Sequence, residues 1–147
     1  MIMAAREDLR DIIRSIYRRK GGKGVTLRLF DDLGSAERHL LLEKAALGID
    51  DIPVIGLFID EDNWLLLSTE YLLWCTSGKT HRVCTSCIAD ANVDLGELRM
   101  SKLSMADCAT LQVITKSGKH YRIEVEAGRP LSGLWNVLKF LGRRSSR

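Results

Sequence analysis

The sequence has no apolar run long enough to cross a membrane: its longest runs are about six residues, whereas a spanning helix needs about 20. Its first residues also lack the apolar core of a signal peptide, because the charged residues Arg6, Glu7 and Asp8 directly follow the first five residues. With only two prolines and no low-complexity tract, a disordered half is not expected. We therefore predict a soluble, cytoplasmic protein without stable membrane association.

A strong excess of charge of one sign is missing as well. The net charge is +3, from 22 lysines and arginines against 19 aspartates and glutamates. Domains that bind nucleic acid normally carry a clustered, strongly basic face, so we expect no nucleic-acid partner. Basic residues do concentrate at 18–20 and 143–147. Cations are favoured in the last turn of a helix, which explains both groups without a ligand.

The chain also lacks a catalytic signature, and its single Cys-x-x-Cys, formed by Cys84 and Cys87, has no second copy. That spacing suits zinc or a redox pair, but in a predicted strand residues three apart face opposite sides. The same offset separates His81 from Cys84 and argues against a nucleophile and its base. We predict reduced, partly buried cysteines, Cys75 and Cys108 included, with no metal and no cofactor. A small metal-dependent hydrolase or thiol enzyme is the alternative.

The central segment, residues 52–88, predicts an antiparallel meander. Short runs rich in apolar, aromatic and branched residues cover 52–59, 64–69, 71–76 and 80–88. An acidic break and a Ser-Gly-Lys stretch separate them in the way that turns do.

Two helices are predicted before this meander. The first covers 5–19 and ends at the glycines that follow, while 25–30 fits either a short strand or more helix. The second runs to about Leu47, with Gly48 as its stop. Its candidate N-caps are Asp31, Asp32 and Ser35. The predicted buried stripes are Leu9, Ile12, Ile13 and Ile16 in the first helix and Leu33, Ala36, Leu40, Leu41 and Leu47 in the second.

After the meander, residues 89–100 alternate weakly and fit a charged edge strand. Residues 111–126 predict the clearest hairpin, because apolar and charged side chains alternate strictly in its second arm. The apolar face holds Tyr121, Ile123 and Val125, and the charged face holds Arg122, Glu124 and Glu126.

The last element is an amphipathic helix with Pro130 in its first turn and Gly142 at its end. Its apolar stripe consists of Leu131, Leu134, Trp135, Leu138 and Leu141. The sequence thus predicts an α+β fold: two N-terminal helices, then a bent antiparallel sheet of about seven strands, closed at one mouth by the C-terminal helix. We expect a single domain over 1–147, with a helical extension at 1–50 and a core at 51–142.

This core resembles the pleckstrin-homology-like superfold in its bacterial versions. The resemblance rests on 64–74, on 111–125 with its Ser-Gly turn, and on the closing helix at 130–138. It covers about 52–142, so the N-terminal helices look like an addition. Small bacterial cytosolic proteins of this kind include immunity proteins, which neutralise toxins delivered by contact-dependent inhibition or related secretion systems. The resemblance implies a non-enzymatic protein whose partner is a cognate toxin domain, such as a nuclease. A pleckstrin-homology-like adaptor that uses its basic ends to bind a membrane surface, or that binds another protein partner, is the alternative.

Asp60, Glu61 and Asp62 are the candidate partner-binding residues. In pleckstrin-homology domains that bind phosphoinositides, the loop between the first two strands carries the lysines and arginines that hold the phosphates. At the matching position, three carboxylates would repel a phosphorylated head group and suit a basic protein surface. A merely solvated turn is the simpler explanation.

The three tryptophans, Trp64, Trp74 and Trp135, are candidate anchors for a partner. Trp135 lies on the apolar stripe of the closing helix, and we expect core positions for all three.

Overall fold

A computed structural model of the chain describes residues 2–21, 24–93 and 109–145. Within these ranges no helix has the length and apolarity needed to span a bilayer. Short 3-10 turns at Phe30–Asp32 and Thr85–Cys87 join regular elements. The helices and strands are α1 (Ile2–Lys20), β1 (Leu27–Leu29), α2 (Ser35–Ala45), β2 (Pro53–Asp60), β3 (Asn63–Ser68), β4 (Tyr71–Thr76), β5 (Lys79–Cys84), β6 (Ile88–Val93), β7 (Thr110–Thr115), β8 (His120–Glu124) and α3 (Arg129–Ser145).

The predicted α+β class with a C-terminal helix is confirmed, but the sheet is divided. One antiparallel sheet has the order β1-β2-β3-β4-β5 and the other has β6-β7-β8. The described residues therefore hold eight strands in two sheets, which do not form a closed barrel, instead of about seven strands in one bent sheet. The division falls at Thr85–Cys87, because this 3-10 turn interrupts the predicted continuous strand.

The predicted meander is confirmed in the larger sheet. Strands β2 to β5 pair antiparallel with their neighbours in the chain. At the β4–β5 turn Ser77 and Gly78 have φ angles of 50° and 80°. Two successive left-handed residues match the right-handed twist of the flanking strands, which makes this a tight hairpin.

The central strands β2, β3 and β4 of the larger sheet are buried on both faces. Trp64 and Leu66 point to one side, where they pack in a cluster with residues from α2 such as Leu41. Leu65 and Leu67 point to the other side and join the main core, which α1, α3 and the second sheet complete. Alternation along a strand sends successive side chains to opposite faces, so a continuous apolar run marks a strand covered twice.

The N-terminal segment contains a strand as well as two helices. Its strand β1 pairs with β2, which settles 25–30 in favour of the short strand. In α1 the predicted face is right at Leu9 and Ile13, but Ile12 is 44% exposed and Tyr17 is buried. The buried face of α1 therefore includes Tyr17, and the Tyr17 hydroxyl donates to the Leu27 carbonyl at 2.6 Å. This hydrogen bond connects α1 to β1.

The predicted ends of the second helix are wrong. Gly34 is the N-cap, without a side-chain hydrogen bond, and Ser35 is already helical. At the other end Ala46, with φ 49°, takes the left-handed cap position expected of Gly48. The buried residues are Leu41 and Ala45, whereas Ala36 is exposed. Leu41 fits onto the sheet because Gly56 leaves room: a Cβ there would lie 2.9 Å from the Leu41 Cδ1.

The smaller sheet follows the sequence closely. The weakly alternating segment forms β6, with its remainder at 94–100 outside the described residues. In the predicted hairpin, β8 buries Ile123 and the following Val125, while Arg122 and Glu124 face outward. The register predicted from alternation is confirmed.

The closing helix carries its predicted face but runs past its predicted end. Leu131, Leu134, Leu138 and Leu141 are buried. Trp135 is half-buried, and its Nε1 donates to the Ala91 carbonyl at 2.6 Å. Gly142 does not end the helix, which continues to Ser145. Glycine is needed there for a close approach, since a Cβ would lie 2.4 Å from the Ala89 carbonyl oxygen.

We expect Gly142→Ala to lower the free energy of unfolding by about 1–3 kcal/mol, measured by urea denaturation. Helix propensity alone predicts a gain of about 1 kcal/mol, so the sign of the change reports the contact with β6. Gly48→Ala is the matched control, because nothing lies within 4 Å of its Cβ position, and we expect a change within about 0.5 kcal/mol. A stabilised Gly142→Ala protein would contradict the close approach.

Candidate functional site

A pocket of about 290 Å³ opens between the two sheets, beside the β2–β3 turn. Its buried lining includes Leu65 and Trp74 from the larger sheet and Ile123 from β8. Its rim holds Ile59, which is 55% exposed, and the exposed Glu124. The pocket therefore has an apolar interior and a rim that includes carboxylates.

The predicted partner-binding residues lie in the β2–β3 turn. Asp60, Glu61 and Asp62 are all exposed. The Asp60 carboxylate shapes the turn itself, accepting from the Asp62 backbone N–H at 2.8 Å and from the Asn63 Nδ2 at 3.0 Å. The hydrogen bond from Asn63, followed by the one from Asp62, lowers the pKa of Asp60. Glu61 and Asp62 are thus the acidic side chains that the turn presents to a partner.

The neighbouring β4–β5 turn holds this acidic turn in place. The Gly78 backbone N–H donates to the Asp62 carbonyl at 3.0 Å. The Ser77 backbone N–H donates to the Asn63 Oδ1 at 3.1 Å. Two turns that are tied together lose less conformational freedom on binding than an untethered loop would.

The acidic turn and the pocket belong to one surface. Ile59 and Asn63, which flank the turn, line the same pocket as Glu124 and Glu126. We call this surface the acidic rim and define it by its carboxylates and its exposed apolar residue: Asp60, Glu61, Asp62, Glu124, Glu126 and Ile59. The sequence indicates only the first three of these residues, because the charged face of β8 carries no local sign of which surface it will join.

Glu126 has a structural task at this rim. Its carboxylate accepts from the backbone N–H groups of Val25, Thr26 and Leu27 at 2.7, 2.9 and 2.9 Å. Partial burial would raise the pKa of Glu126, but these hydrogen bonds together outweigh it and lower the pKa. The charged carboxylate therefore fastens β1 to the end of the second hairpin.

Trp74, which lines the pocket, belongs to an aromatic cluster with His81 and Tyr121. Trp74 stacks on its cross-strand neighbour His81, with ring centroids 5.2 Å apart. Tyr121 meets Trp74 edge to face at 5.3 Å. Trp74 and Trp64 are 2% and 3% exposed, which confirms their core positions. Neither ring offers an anchor to a partner.

The structure overturns one prediction about the cysteines. Cys84 ends β5 and Cys87 lies in the 3-10 turn that follows, not in the same strand. The two cysteines therefore stand at the two ends of a tight turn, and Cys87 adds to the effect of burial in raising the pKa of the Cys84 thiol. Cys75 is buried as predicted, Cys84 is half-buried and Cys87 is exposed, all as free thiols. Cys108 lies outside the described residues.

Within the described ranges, no group of three or more histidine, cysteine, aspartate or glutamate side chains is arranged to hold a metal ion. Comparison of the chain with protein-family models, curated proteins and solved structures finds no match.

We expect Glu126→Gln to lower the free energy of unfolding at pH 7 by about 1–3 kcal/mol, because charged acceptors make the stronger hydrogen bonds. The folded-state pKa of Glu126 is depressed, so its contribution is full above its unfolded pKa and is lost as the pH falls through the folded pKa. The difference from the parent protein should thus shrink in acid, as measured by thermal melts across pH. Glu124→Gln, on the exposed face of β8, is the control and should change little. A difference that stays constant with pH would refute the assignment.

Proposed function

We propose that the protein is a non-enzymatic protein-binding module, an immunity protein that neutralises a cognate bacterial toxin by direct binding and occlusion. The observation that carries the proposal is the acidic rim around an open apolar pocket. Protein interfaces combine an apolar centre with a polar border, and the pocket with Ile59 offers such a centre inside a border of carboxylates.

The charge of this surface favours a basic partner. Glu61, Asp62 and Glu124 are exposed, so complementary charge on a partner would steer the encounter and raise the association rate. A nuclease toxin is such a partner, because it must carry a basic cleft to hold the phosphates of its substrate. Covering that cleft blocks the substrate without any reaction in the immunity protein.

A pleckstrin-homology-like identity of the core is part of the proposal. The sheet β2-β3-β4-β5, the sheet β6-β7-β8 and the closing helix α3 support it by their order in the chain. In this comparison the acidic turn takes the place of the basic phosphoinositide loop. The proposal includes a cytoplasmic location, where the protein would meet a toxin that enters the cell.

The alternative is an adaptor that binds a membrane surface through the basic ends of the chain. The described basic groups are far apart. Gly21, at the end of α1, lies against Gly133 near the start of α3, whereas Arg143 and Arg144 are in the last turn of α3. Gly133 and Arg143 are ten residues apart, which is about 15 Å along the helix, so these groups do not share one compact patch.

The direct test is co-purification with a toxin module. A suitable probe is the C-terminal module of a large secreted protein encoded beside this chain, expressed in inactive form. We expect a stable complex and loss of toxin activity when the active module is mixed with the protein. A module that neither binds nor is inhibited would contradict the proposal.

Reversing the charges of the acidic turn should slow this association. We expect Glu61→Lys with Asp62→Lys to lower the association rate at low salt at least about tenfold, measured by stopped-flow or surface plasmon resonance. Asp60 is kept because its carboxylate shapes the turn. Glu43→Lys with Asp50→Lys is the matched control, since both residues are exposed and the change in net charge is equal. Equal rates in the two variants would remove the acidic turn from the interface.

The adaptor alternative has a separate test. We expect the protein to stay in the supernatant when vesicles of phosphatidylserine and phosphatidylcholine are sedimented at physiological salt. Carboxylates at the rim are repelled by the anionic surface. Strong binding that weakens with salt would favour the adaptor over the immunity protein.

A further inference from the structure

The turn between the two sheets carries a cysteine at each end. Cys84 is the last residue of β5 and Cys87 the last of the 3-10 turn Thr85–Cys87. Cys87 is close enough to Cys84 to add to the effect of burial in raising the pKa of the Cys84 thiol. A disulfide needs Cα atoms about 4.4–6.8 Å apart, and the ends of a four-residue turn lie within about 7 Å. The backbone of this turn is therefore compatible with a disulfide.

Hydrogen bonds hold the turn on both sides, so the backbone of the two cysteines is kept in this arrangement. The Thr85 backbone N–H donates to the Glu70 carbonyl at 2.8 Å, and the Thr85 hydroxyl to the Thr69 carbonyl at 2.9 Å. The Ser145 hydroxyl, at the end of α3, donates to the Ile88 carbonyl at 2.8 Å. These bonds hold Thr85, which lies between the two cysteines, to the β3–β4 turn, and Ile88, which directly follows Cys87, to α3.

The two thiols differ in access. Cys87 is exposed, whereas Cys84 is half-buried. Partial burial, and then the neighbouring Cys87, raise the pKa of Cys84, which disfavours its thiolate form. A reagent from solution therefore meets Cys87 first, and Cys84 is placed to react second.

We propose that Cys84 and Cys87 form a reversible disulfide by exchange with a small-molecule disulfide, and that this bond staples the connection between the two sheets. The Cys87 thiolate attacks one sulfur of the small disulfide, forming a mixed disulfide and releasing one thiol. Cys84, after losing its proton to solvent, attacks the Cys87 sulfur and releases the second thiol. The two protein thiols are oxidised, and one small disulfide is reduced to two thiols.

The effect of the proposed disulfide follows from its position between the two sheets. Strand β5 belongs to the larger sheet and β6, which begins at Ile88, belongs to the smaller one. The covalent ring would close around the segment that joins them. Because the ring encloses few residues, the entropic stabilisation is small, and the main effect is to restrict opening of this connection. The inference stands independently of the proposed toxin binding.

The test uses the full chain carrying Cys108→Ser, which removes the cysteine outside the described residues. Incubation with oxidised glutathione, followed by mass spectrometry and peptide mapping, should show an internal link between Cys84 and Cys87 and the loss of two titratable thiols. Dithiothreitol should restore both. Hydrogen exchange should slow at residues 84–88 in the oxidised form.

Two serine variants separate the roles of the cysteines. Cys84→Ser should stop at a glutathione mixed disulfide on Cys87, whereas Cys87→Ser should react slowly and lose at most one thiol. Circular dichroism checks that each variant folds. If a variant does not fold, the peptide map of the parent protein still shows whether Cys84 and Cys87 are linked. Glutathione on both cysteines without an internal link, a link between two chains, or identical rates in both variants would overturn the proposal.

Discussion

The structure depends on burying both faces of the larger sheet at once. Leu66 and Leu73 face the cluster with α2, while Leu65, Leu67 and Leu72 face the main core. A fully buried leucine contributes about 1.5–3 kcal/mol, so neither cover is dispensable. The helix α2 is required on one side, and α1, α3 and the smaller sheet are required on the other.

This requirement also explains where the candidate site lies. The two sheets cover each other at their centres, where Leu67 and Val113 are buried, and leave a pocket beside the β2–β3 turn. Polar groups collect at such an opening because water reaches them there. Glu126 is the exception, since its carboxylate is held by backbone N–H groups and fastens β1 instead of remaining free for a partner.

Close approaches between elements account for several departures from the sequence patterns. The sequence predicts a helix stop at Gly142, but this glycine leaves space for the Ala89 carbonyl, as Gly56 leaves space for Leu41. Ala46 caps α2 in a left-handed conformation although Gly48 stands two residues further on. The packing of Leu41 and Ala45 on the sheet determines where that helix ends, and it outweighs the preference of glycine for the left-handed cap position.

The sequence by itself determined the class of the fold, the meander, the faces of the second hairpin and the stripe of the closing helix. These features follow from side-chain periods of 2 and 3.6 residues, which act over short stretches of chain. Only the tertiary structure decided that the strands divide into two sheets, that Glu124 joins the acidic turn, and that Cys84 and Cys87 stand at the two ends of a tight turn. Those outcomes depend on contacts between residues far apart in sequence, or on a single turn of 3-10 helix that no period reveals.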